Sequence, residues 1–191
     1  MTDVTVDTIF EALETAGHVR YGTEAISELE HALQIADLAD EMSGDPELIA
    51  GALLHDIGRV AVRQEDVSDT LVPDHMGKTN DGAKGHDTVG ADLLAEIFPD
   101  RVLAGIRLHV AAKRYLCTVE PEYRDRISDG SELTLKMQGG LMDDGELEAF
   151  RAMPYADDAV QIRRWDDLAK VPGKPSRPLE HWRPLLESLM R

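Results

Sequence analysis

The sequence is poor in the residues that define several common protein classes. Its 191 residues include one cysteine, Cys117, so an internal disulfide is excluded and a reducing, cytoplasmic location is expected. Only 20 lysine and arginine residues face 37 acidic ones, for a formal net charge of −17, so nucleic acid and anionic membranes are not expected partners. No apolar run approaches the roughly 18 residues that cross a bilayer, and residues 1–10 do not resemble a signal peptide.

Helical periodicity extends over most of the chain. Apolar residues recur at helical spacing, and no segment alternates convincingly with a period of two. Asp45 and Pro46 suit the N-cap and first position of a helix. With 42% hydrophobic residues, the sequence predicts an all-α helical bundle and a single domain, residues 1–191. The predicted helices span residues 4–16, 24–42, 46–56, 86–97, 101–116, 121–127, 131–138, 145–153, 155–170 and 179–190.

Two segments interrupt this pattern. Residues 58–85 are polar and glycine-rich, which predicts a long loop, and loops of this length in compact domains usually serve a function such as that of a lid. Residues 171–178 contain several prolines, which indicates a spacer before a C-terminal helix.

Histidine and aspartate form the most informative pattern. His55 and Asp56 are adjacent at the end of an apolar stretch, where a buried carboxylate needs a cation or several hydrogen bonds. An imidazole beside a carboxylate suits a transition metal, because the carboxylate can bridge two ions. The remaining candidates follow in the order H…HD…H…H…D, and the whole set predicts a two-metal site that also includes His31, His86, His109 and Asp166.

Taken singly, most of these residues have an ordinary structural explanation. His31 can be a satisfied helical histidine, His86 can be exposed, and either Asp166 or Asp167 can be a surface charge. His109 has apolar neighbours, which predicts that it faces inward. Donors without thiolate suit iron, manganese or zinc. Three histidines are not assigned to the site: His18, His75 and His181.

Two further groups lie at helical spacing from the candidate ligands. Tyr21, Glu24 and His31 are separated by three and seven residues, which predicts one shared helical face. Tyr21 and Glu24 there either control access to a coordination position or form only a helix entry. Lys113, four residues after His109, either reaches an anion held by the metals or extends to solvent.

Three more residues are candidates for binding an anion. Arg59 follows Asp56 by three residues, and its guanidinium suits bidentate binding of a phosphonate or carboxylate. Ser131 and Gln138 flank a short helix, where neutral donors can complete an anion pocket. Ser131 alone is also a typical N-cap.

From Tyr21 to Lys170, the chain resembles the HD-domain mixed-valent diiron oxygenases that break carbon–phosphorus bonds, the PhnZ and TmpB type. It is more distantly similar to myo-inositol oxygenase. The run His109 to Leu116 is the most diagnostic, because generic HD phosphohydrolases lack its Lys113-Arg114-Tyr115-Leu116 end. The other motifs are Tyr21-Gly22-Thr23-Glu24, Glu30-His31-Ala32-Leu33-Gln34, His55-Asp56-Ile57-Gly58, His86-Asp87, Gln138-Gly139-Gly140 and Arg164-Trp165-Asp166-Asp167.

The resemblance implies two iron ions, Fe(II) and Fe(III), with Asp56 bridging them. One iron would be held by His31, His55, Asp56 and Asp166, and the other by Asp56, His86 and His109. The resemblance also implies that Tyr21 and Glu24 form a movable gate. The phosphonate oxygens would be bound by Lys113, Ser131 and Gln138.

The implied reaction uses O2 to cleave the C–P bond of a small organophosphonate. The substrate would be a 1-hydroxy-2-(ammonio or trimethylammonio)ethylphosphonate, and the products glycine or glycine betaine plus phosphate. Arg59 stands where PhnZ has a histidine, which favours the trimethylammonio substrate and glycine betaine.

Two other functions remain compatible with the sequence. The alternative enzyme is a metal-dependent HD phosphohydrolase acting on a nucleotide or phosphate ester, which would use the same first metal ligands but not the Tyr21 and Glu24 gate. A ligand-sensing module without catalysis is the second, although the intact ligand set argues against it.

Overall fold

The computed structural model describes residues 4–65 and 85–191, and side chains in the first range as far as residue 61. Within these ranges the only extended pairing is an isolated bridge between Arg20 and Ser27, which confirms the all-α prediction. No described helix has the length and apolar composition to span a bilayer. The helices are α1 Val6–Ala16, α2 Glu28–Met42, α3 Pro46–Leu54, α4 Ile57–Glu65, α5 His86–Leu93, α6 Asp100–Val119, α7 Pro121–Arg124, α8 Asp129–Met137, α9 Asp144–Arg151, α10 Ala156–Leu168 and α11 Arg183–Leu189, the last preceded by a 3-10 turn, Leu179–Trp182.

Capping residues set where α2 and α3 begin. The Asp45 carboxylate accepts from the backbone of Glu47 at 3.0 Å, with Pro46 in the first turn, as predicted. The predicted start of α2 at Glu24 is wrong, since Ser27 and Glu30 form a reciprocal capping box. This box satisfies the free amides of the first turn and makes Glu28 the first helical residue.

The predicted loop over residues 58–85 is wrong at its start. The chain resumes a helix, α4, directly after His55 and Asp56 and continues to Glu65. Ile57 and Val60 are buried on the inner side of this helix, which explains why a sequence that looks polar and glycine-rich is helical there. Residues 66–84 of the predicted loop lie outside the described residues.

Helix α6 lies at the centre of the bundle and packs against α3, α5 and α10. At the α3–α6 crossing, a Cβ on Gly105 would lie 3.3 Å from the Cα of Gly51 and 2.7 Å from a methyl group of Ile162 on α10. Because Gly51 and Gly105 have no side chain, α3, α6 and α10 can approach one another closely. The largest buried cluster draws on residues from Val6 to Leu186. The single-domain organisation stays a prediction.

Helices α4 and α5 meet at a second glycine pair. A Cβ on Gly58 would lie 2.0 Å from the carbonyl oxygen of His86 and 2.7 Å from the amide nitrogen of Gly90. Both contacts are to backbone, which cannot rotate away. The glycine thus fixes the distance between the His55-Asp56 pair and the helix that begins at His86.

Replacing Gly58 with alanine is expected to push α5 away from α4. We expect Gly58→Ala to lower the free energy of unfolding by about 1–3 kcal/mol, the usual range for overpacking, and to lower metal content. Thermal unfolding and metal analysis measure both effects. Gly145→Ala is the matched control, since its Cβ would meet only a carboxylate oxygen at 3.4 Å. Equal melting temperatures in the two variants would contradict the close-packing argument.

Candidate metal centre

The His55-Asp56 pair occupies the break between α3 and α4. His55 is the C-cap residue of α3, and its Nδ1–H donates to the carbonyl of Ala52 at 2.7 Å. Both side chains are buried. Because the helix is interrupted at this point, two consecutive polar side chains can turn into the bundle together.

The first donor group brings α2, the α3–α4 break and α10 together. The Nε2 atom of His31 lies 3.3 Å from Nε2 of His55 and 3.3 Å from a carboxylate oxygen of Asp166. The Nε2 atom of His55 lies 3.2 Å from Oδ2 of Asp56. These four side chains are the set predicted for one metal.

The second group shares Asp56 with the first. Its other oxygen, Oδ1, lies 3.1 Å from Nε2 of His86 on α5 and 3.4 Å from Nε2 of His109 on α6. The two imidazole nitrogens are 3.0 Å apart. One carboxylate therefore faces both donor groups, one with each oxygen.

Backbone carbonyls fix the orientation of three imidazole rings. The Nδ1 atoms of His31, His55 and His109 lie 2.7–2.8 Å from the carbonyls of Ala169, Ala52 and Ile106. A carbonyl only accepts, so each Nδ1 carries the proton. Each Nε2 then turns a lone pair toward the cluster, the arrangement that metal-binding histidines adopt.

These side chains fit a metal. Oδ2 of Asp56 and Oδ1 of Asp166 are buried without a hydrogen-bond partner, although the Lys170 ammonium lies 3.3 Å from the latter. Such groups are costly unless cations satisfy them. Two ligands at right angles on one ion, each about 2.1 Å from it, lie about 3.0 Å apart. The observed separations of 3.0–3.4 Å suit that arrangement.

Electrostatics favours ionised carboxylates and a neutral His109 in this centre. Burial opposes the charge of Asp166, but Arg163 and Lys170 outweigh it and hold the pKa well below its usual range. Burial likewise opposes the charge of Asp56, but protonated His55 and Arg59 hold its pKa well below the usual range. Burial lowers the pKa of His55, but Asp56 outweighs it and raises that pKa, so a metal bound there would displace a proton from His55. Burial lowers the pKa of His109. Ionised carboxylates and neutral imidazoles are the forms that bind metal.

A cationic cluster lies on one side of the donors. The guanidinium of Arg163 pairs with both Asp166 and Asp167 and lies 3.3 Å from the hydroxyl of Ser131. The ammonium of Lys170 lies 3.3 Å from the same hydroxyl and from Asp166. Ser131 lies in the first turn of α8, and its contacts with these two cations hold its hydroxyl near the metal donors.

Lys113 faces this region from α6. Its ammonium donates to the hydroxyl of Thr134 at 2.6 Å, and the side chain is buried. Burial first and the charge of Arg163 second lower the pKa of Lys113 to about 7. The alternative that Lys113 extends to solvent is thereby excluded. Gln138 is the C-cap residue of α8, and its Oε1 is buried without a hydrogen-bond partner among the described residues.

The structure distinguishes Asp166 from Asp167. The side chain of Asp166 is 1% exposed and reaches His31, whereas that of Asp167 is 18% exposed and contacts Arg163 and Lys170. Asp167 also accepts from the phenol of Tyr123. Asp166 therefore belongs to the donor group, while Asp167 holds the adjacent cations.

Tyr21 and Glu24 lie in the turn before α2, so the predicted shared helical face is wrong. Gly22, with φ of +54°, forms part of this turn, which Arg20 ties by donating to the carbonyls of Glu24 and Thr23. The ring of Tyr21 nevertheless stacks on His31, with centroids 4.0 Å apart. Glu24 lies beside Gly130, whose Cβ would be 3.6 Å from its Oε1.

Arg59 lies beside the donors, but its guanidinium is paired within the protein. Nη2 and Nε donate to both carboxylate oxygens of Glu28 at 2.8–3.2 Å. The Nε atom is 4.0 Å from Asp56. The predicted bidentate contact with a substrate anion would have to compete with the Glu28 carboxylate.

Sequence reasoning missed Arg163, Asp167 and Glu28 as parts of the site. Arg163 precedes Asp166 and Asp167 by three and four residues, a spacing that places all three on one helical face. That spacing was the signal available for Arg163. Of the three histidines that were not assigned to the site, His18 and His181 are exposed, and His75 lies outside the described residues.

Comparison with known proteins agrees with this geometry. The HD domain family model matches residues 29–169. The chain belongs to the HD-domain family. It is 38% identical over 185 residues to a hydroxymethylphosphonate dioxygenase of Gimesia maris, covering 97% of this chain and 88% of that protein. It is 34% identical over 185 residues to the glycine-betaine-forming [1-hydroxy-2-(trimethylamino)ethyl]phosphonate dioxygenase of Leisingera caerulea, covering 97% and 90%. The predicted membership among HD-domain oxygenases is confirmed.

Metal binding is expected to stabilise the folded protein. Adding Fe(II) to protein stripped by a chelator should raise the melting temperature, because ligand at 100 times its Kd contributes about 2.7 kcal/mol. Asp56→Asn should remove most of this increase, measured by thermal unfolding with and without metal. Asp87→Asn is the control, since Asp87 bonds only its neighbour Thr88 among the described residues. An unchanged increase in Asp56→Asn would contradict the assignment.

Proposed function

We propose that this protein is a two-iron oxygenase that cleaves the C–P bond of a 1-hydroxyalkylphosphonate. One iron would be held by His31, His55, Asp56 and Asp166, and the other by Asp56, His86 and His109. The observation that carries the proposal is the single carboxylate of Asp56, which offers one oxygen to each donor group. A site for a single ion would not require a carboxylate placed between two groups of donors.

The reaction consumes one O2 and forms two products. The carbon that bears the hydroxyl becomes a carboxylate, and the phosphonate leaves as phosphate, so that both oxygen atoms are accounted for in the products. The iron pair supplies the redox chemistry when it is bound. The protein supplies ligands, orientation and charge.

The cations beside the donors provide a place for the phosphonate group. Lys113 lies on α6, while Arg163 and Lys170 converge on the hydroxyl of Ser131. A phosphonate here would exchange its hydration for contacts with fixed donors near the iron ligands. The same contacts orient the adjacent carbon toward the donor groups, which is the main requirement for a selective oxidation.

Both relatives act on 1-hydroxyphosphonates, and this supports the same substrate class here. Their substrates differ at the carbon that bears the hydroxyl, which has no further carbon substituent in one and carries a trimethylammoniomethyl group in the other. The second substrate, which gives glycine betaine, is the one favoured by the presence of arginine at position 59, where PhnZ has a histidine. Parallel assays with both compounds and with the primary amine test this choice.

A phosphohydrolase acting on a nucleotide or phosphate ester is the competing function. It would use His31, His55, Asp56 and Asp166, but it would not need Tyr21 stacked on a metal ligand. The named relatives are dioxygenases, which favours oxidation. Oxygen dependence separates the two functions.

Phosphate release is expected to require air. Iron-loaded protein offered hydroxymethylphosphonate or the trimethylammonio compound should release phosphate in air and none under argon. His86→Ala and His109→Ala should each lower the rate at least a hundredfold and the iron content from two ions to one. His18→Ala, an exposed histidine, is the control. Equal phosphate release in air and under argon would refute the oxygenase, and release from a phosphate ester but from neither phosphonate would identify the phosphohydrolase instead.

Lys113 should make phosphonate binding depend on pH. With a pKa lowered to about 7, its ammonium is charged below pH 7 and neutral above. The apparent KM should therefore increase above pH 7, by up to roughly tenfold per pH unit. Lys113→Arg stays charged over this range and should flatten the profile. Exposed Lys136 is the site for a control, Lys136→Arg. Parallel profiles for the protein and Lys113→Arg would exclude this role.

A further inference from the structure

Glu28 is an unusual residue for the first turn of a helix because its side chain is buried. It is only 1% exposed, and the side chain of Arg59 that pairs with it is 9% exposed. Three hydrogen bonds of 2.8–3.2 Å join the carboxylate to the guanidinium. Burying such a pair requires the loss of two hydration shells, so its position is costly to maintain.

The same guanidinium also lies over an aromatic ring. The central carbon of Arg59 is 4.8 Å from the centroid of the Tyr21 ring. That ring stacks on His31, with an angle of 19° between the planes. Arg59, Tyr21 and His31 thus form a contiguous set of side chains, which begins at a buried carboxylate and ends at a metal donor.

We propose that the Glu28–Arg59 pair is a positioning device that holds the Tyr21 ring against His31 and so sets how readily a substrate displaces that ring. The inference rests on the proposed function and on the expectation that Tyr21 is part of a movable gate beside His31. Arg59 acts here through Tyr21 and is not a binding group for the phosphonate.

Two observations favour this role over direct binding. Both carboxylate oxygens of Glu28 accept from Arg59, so its planar fork already faces an internal anion. The cations that surround Ser131 belong instead to α10 and the residues just after it. A planar guanidinium held by a bidentate partner is also well suited to stack on a ring, since its orientation is fixed.

The two roles for Arg59 predict opposite changes in affinity. If Arg59 binds the phosphonate, its removal weakens binding. If it holds Tyr21 in place, its removal makes displacement of the ring easier and binding tighter, on the order of three- to tenfold for one cation–π contact. A general loss of packing would lower both affinity and melting temperature.

The variant Glu28→Gln/Arg59→Met removes both charges together, so neither is left buried alone. Zinc-loaded protein, in which no turnover occurs, is titrated with hydroxymethylphosphonate by calorimetry. We expect three- to tenfold tighter binding than in the unaltered protein. Arg59→Lys keeps the charge but not the planar fork, and it should fall between the two. Weaker binding by the double variant, with its melting temperature retained, would overturn the proposal.

A second measurement follows the ring itself. The chain has four tyrosines, so 3-fluorotyrosine labelling gives a fluorine spectrum that Tyr→Phe variants assign. In zinc-loaded protein the Tyr21 signal should move toward its unfolded position in Glu28→Gln/Arg59→Met. Arg151→Met is the matched control, because Arg151 lies over the ring of Tyr115, at 5.5 Å and away from the donors. A Tyr21 signal unmoved by the double change would refute the proposal.

Failure of the proposed function has a different signature. Iron-loaded, unaltered protein that releases no phosphate in air would refute the oxygenase, whatever the fluorine spectrum gives. If the unaltered zinc-loaded protein binds no hydroxymethylphosphonate, the position of the Tyr21 signal alone decides whether Glu28 and Arg59 hold the ring.

Discussion

Buried imidazole and carboxylate atoms that converge on one centre are the constraint on which the rest of this structure depends. Three imidazole rings are fixed by backbone carbonyls, so their Nε2 lone pairs converge. One oxygen of Asp56 and one of Asp166 lie among them without a hydrogen bond. Lone pairs repel at these distances unless a cation lies between them. A bound metal would offset this electrostatic cost and stabilise the packing of the helices around the centre.

The charge distribution resolves an apparent conflict in this protein. A chain with net charge −17 repels anions at long range, yet the proposed substrate is an anion. Beyond a Debye length of about 10 Å, salt screens the surface charges, so the groups within the site dominate binding. There, Arg163 and Lys170 lie beside Asp166, and Asp167 holds both cations in place. These two cations balance the two carboxylates, so Lys113 and the positive charge of bound metals would allow the site to attract a phosphonate within an acidic protein.

Local signals were predictable from the sequence, and long-range pairings were not. Helical periodicity and the Asp45–Pro46 boundary depend on neighbouring residues, so they could be identified. The metal donors were predictable because their residue types restrict their chemistry. The start of α2 was mispredicted because helical spacing alone did not reveal the Ser27 capping box. The pairing of Glu28 with Arg59, 31 residues apart, leaves no local pattern, and only the fold brings the two together.

The turn that carries Tyr21 combines a fixed backbone with a side chain held mainly through its ring. The amide of Tyr21 donates to the carbonyl of Ile26 at 2.9 Å, and Arg20 ties the carbonyls that follow. Opening this turn would break several hydrogen bonds at once. Moving the ring alone gives up one stacking contact and its contacts with nearby cations, each worth about 1 kcal/mol. Rotation of the side chain is therefore the less costly way to admit a ligand next to His31. Under the proposed function, the strength of these ring contacts, rather than the flexibility of the turn, would control access to the metal centre.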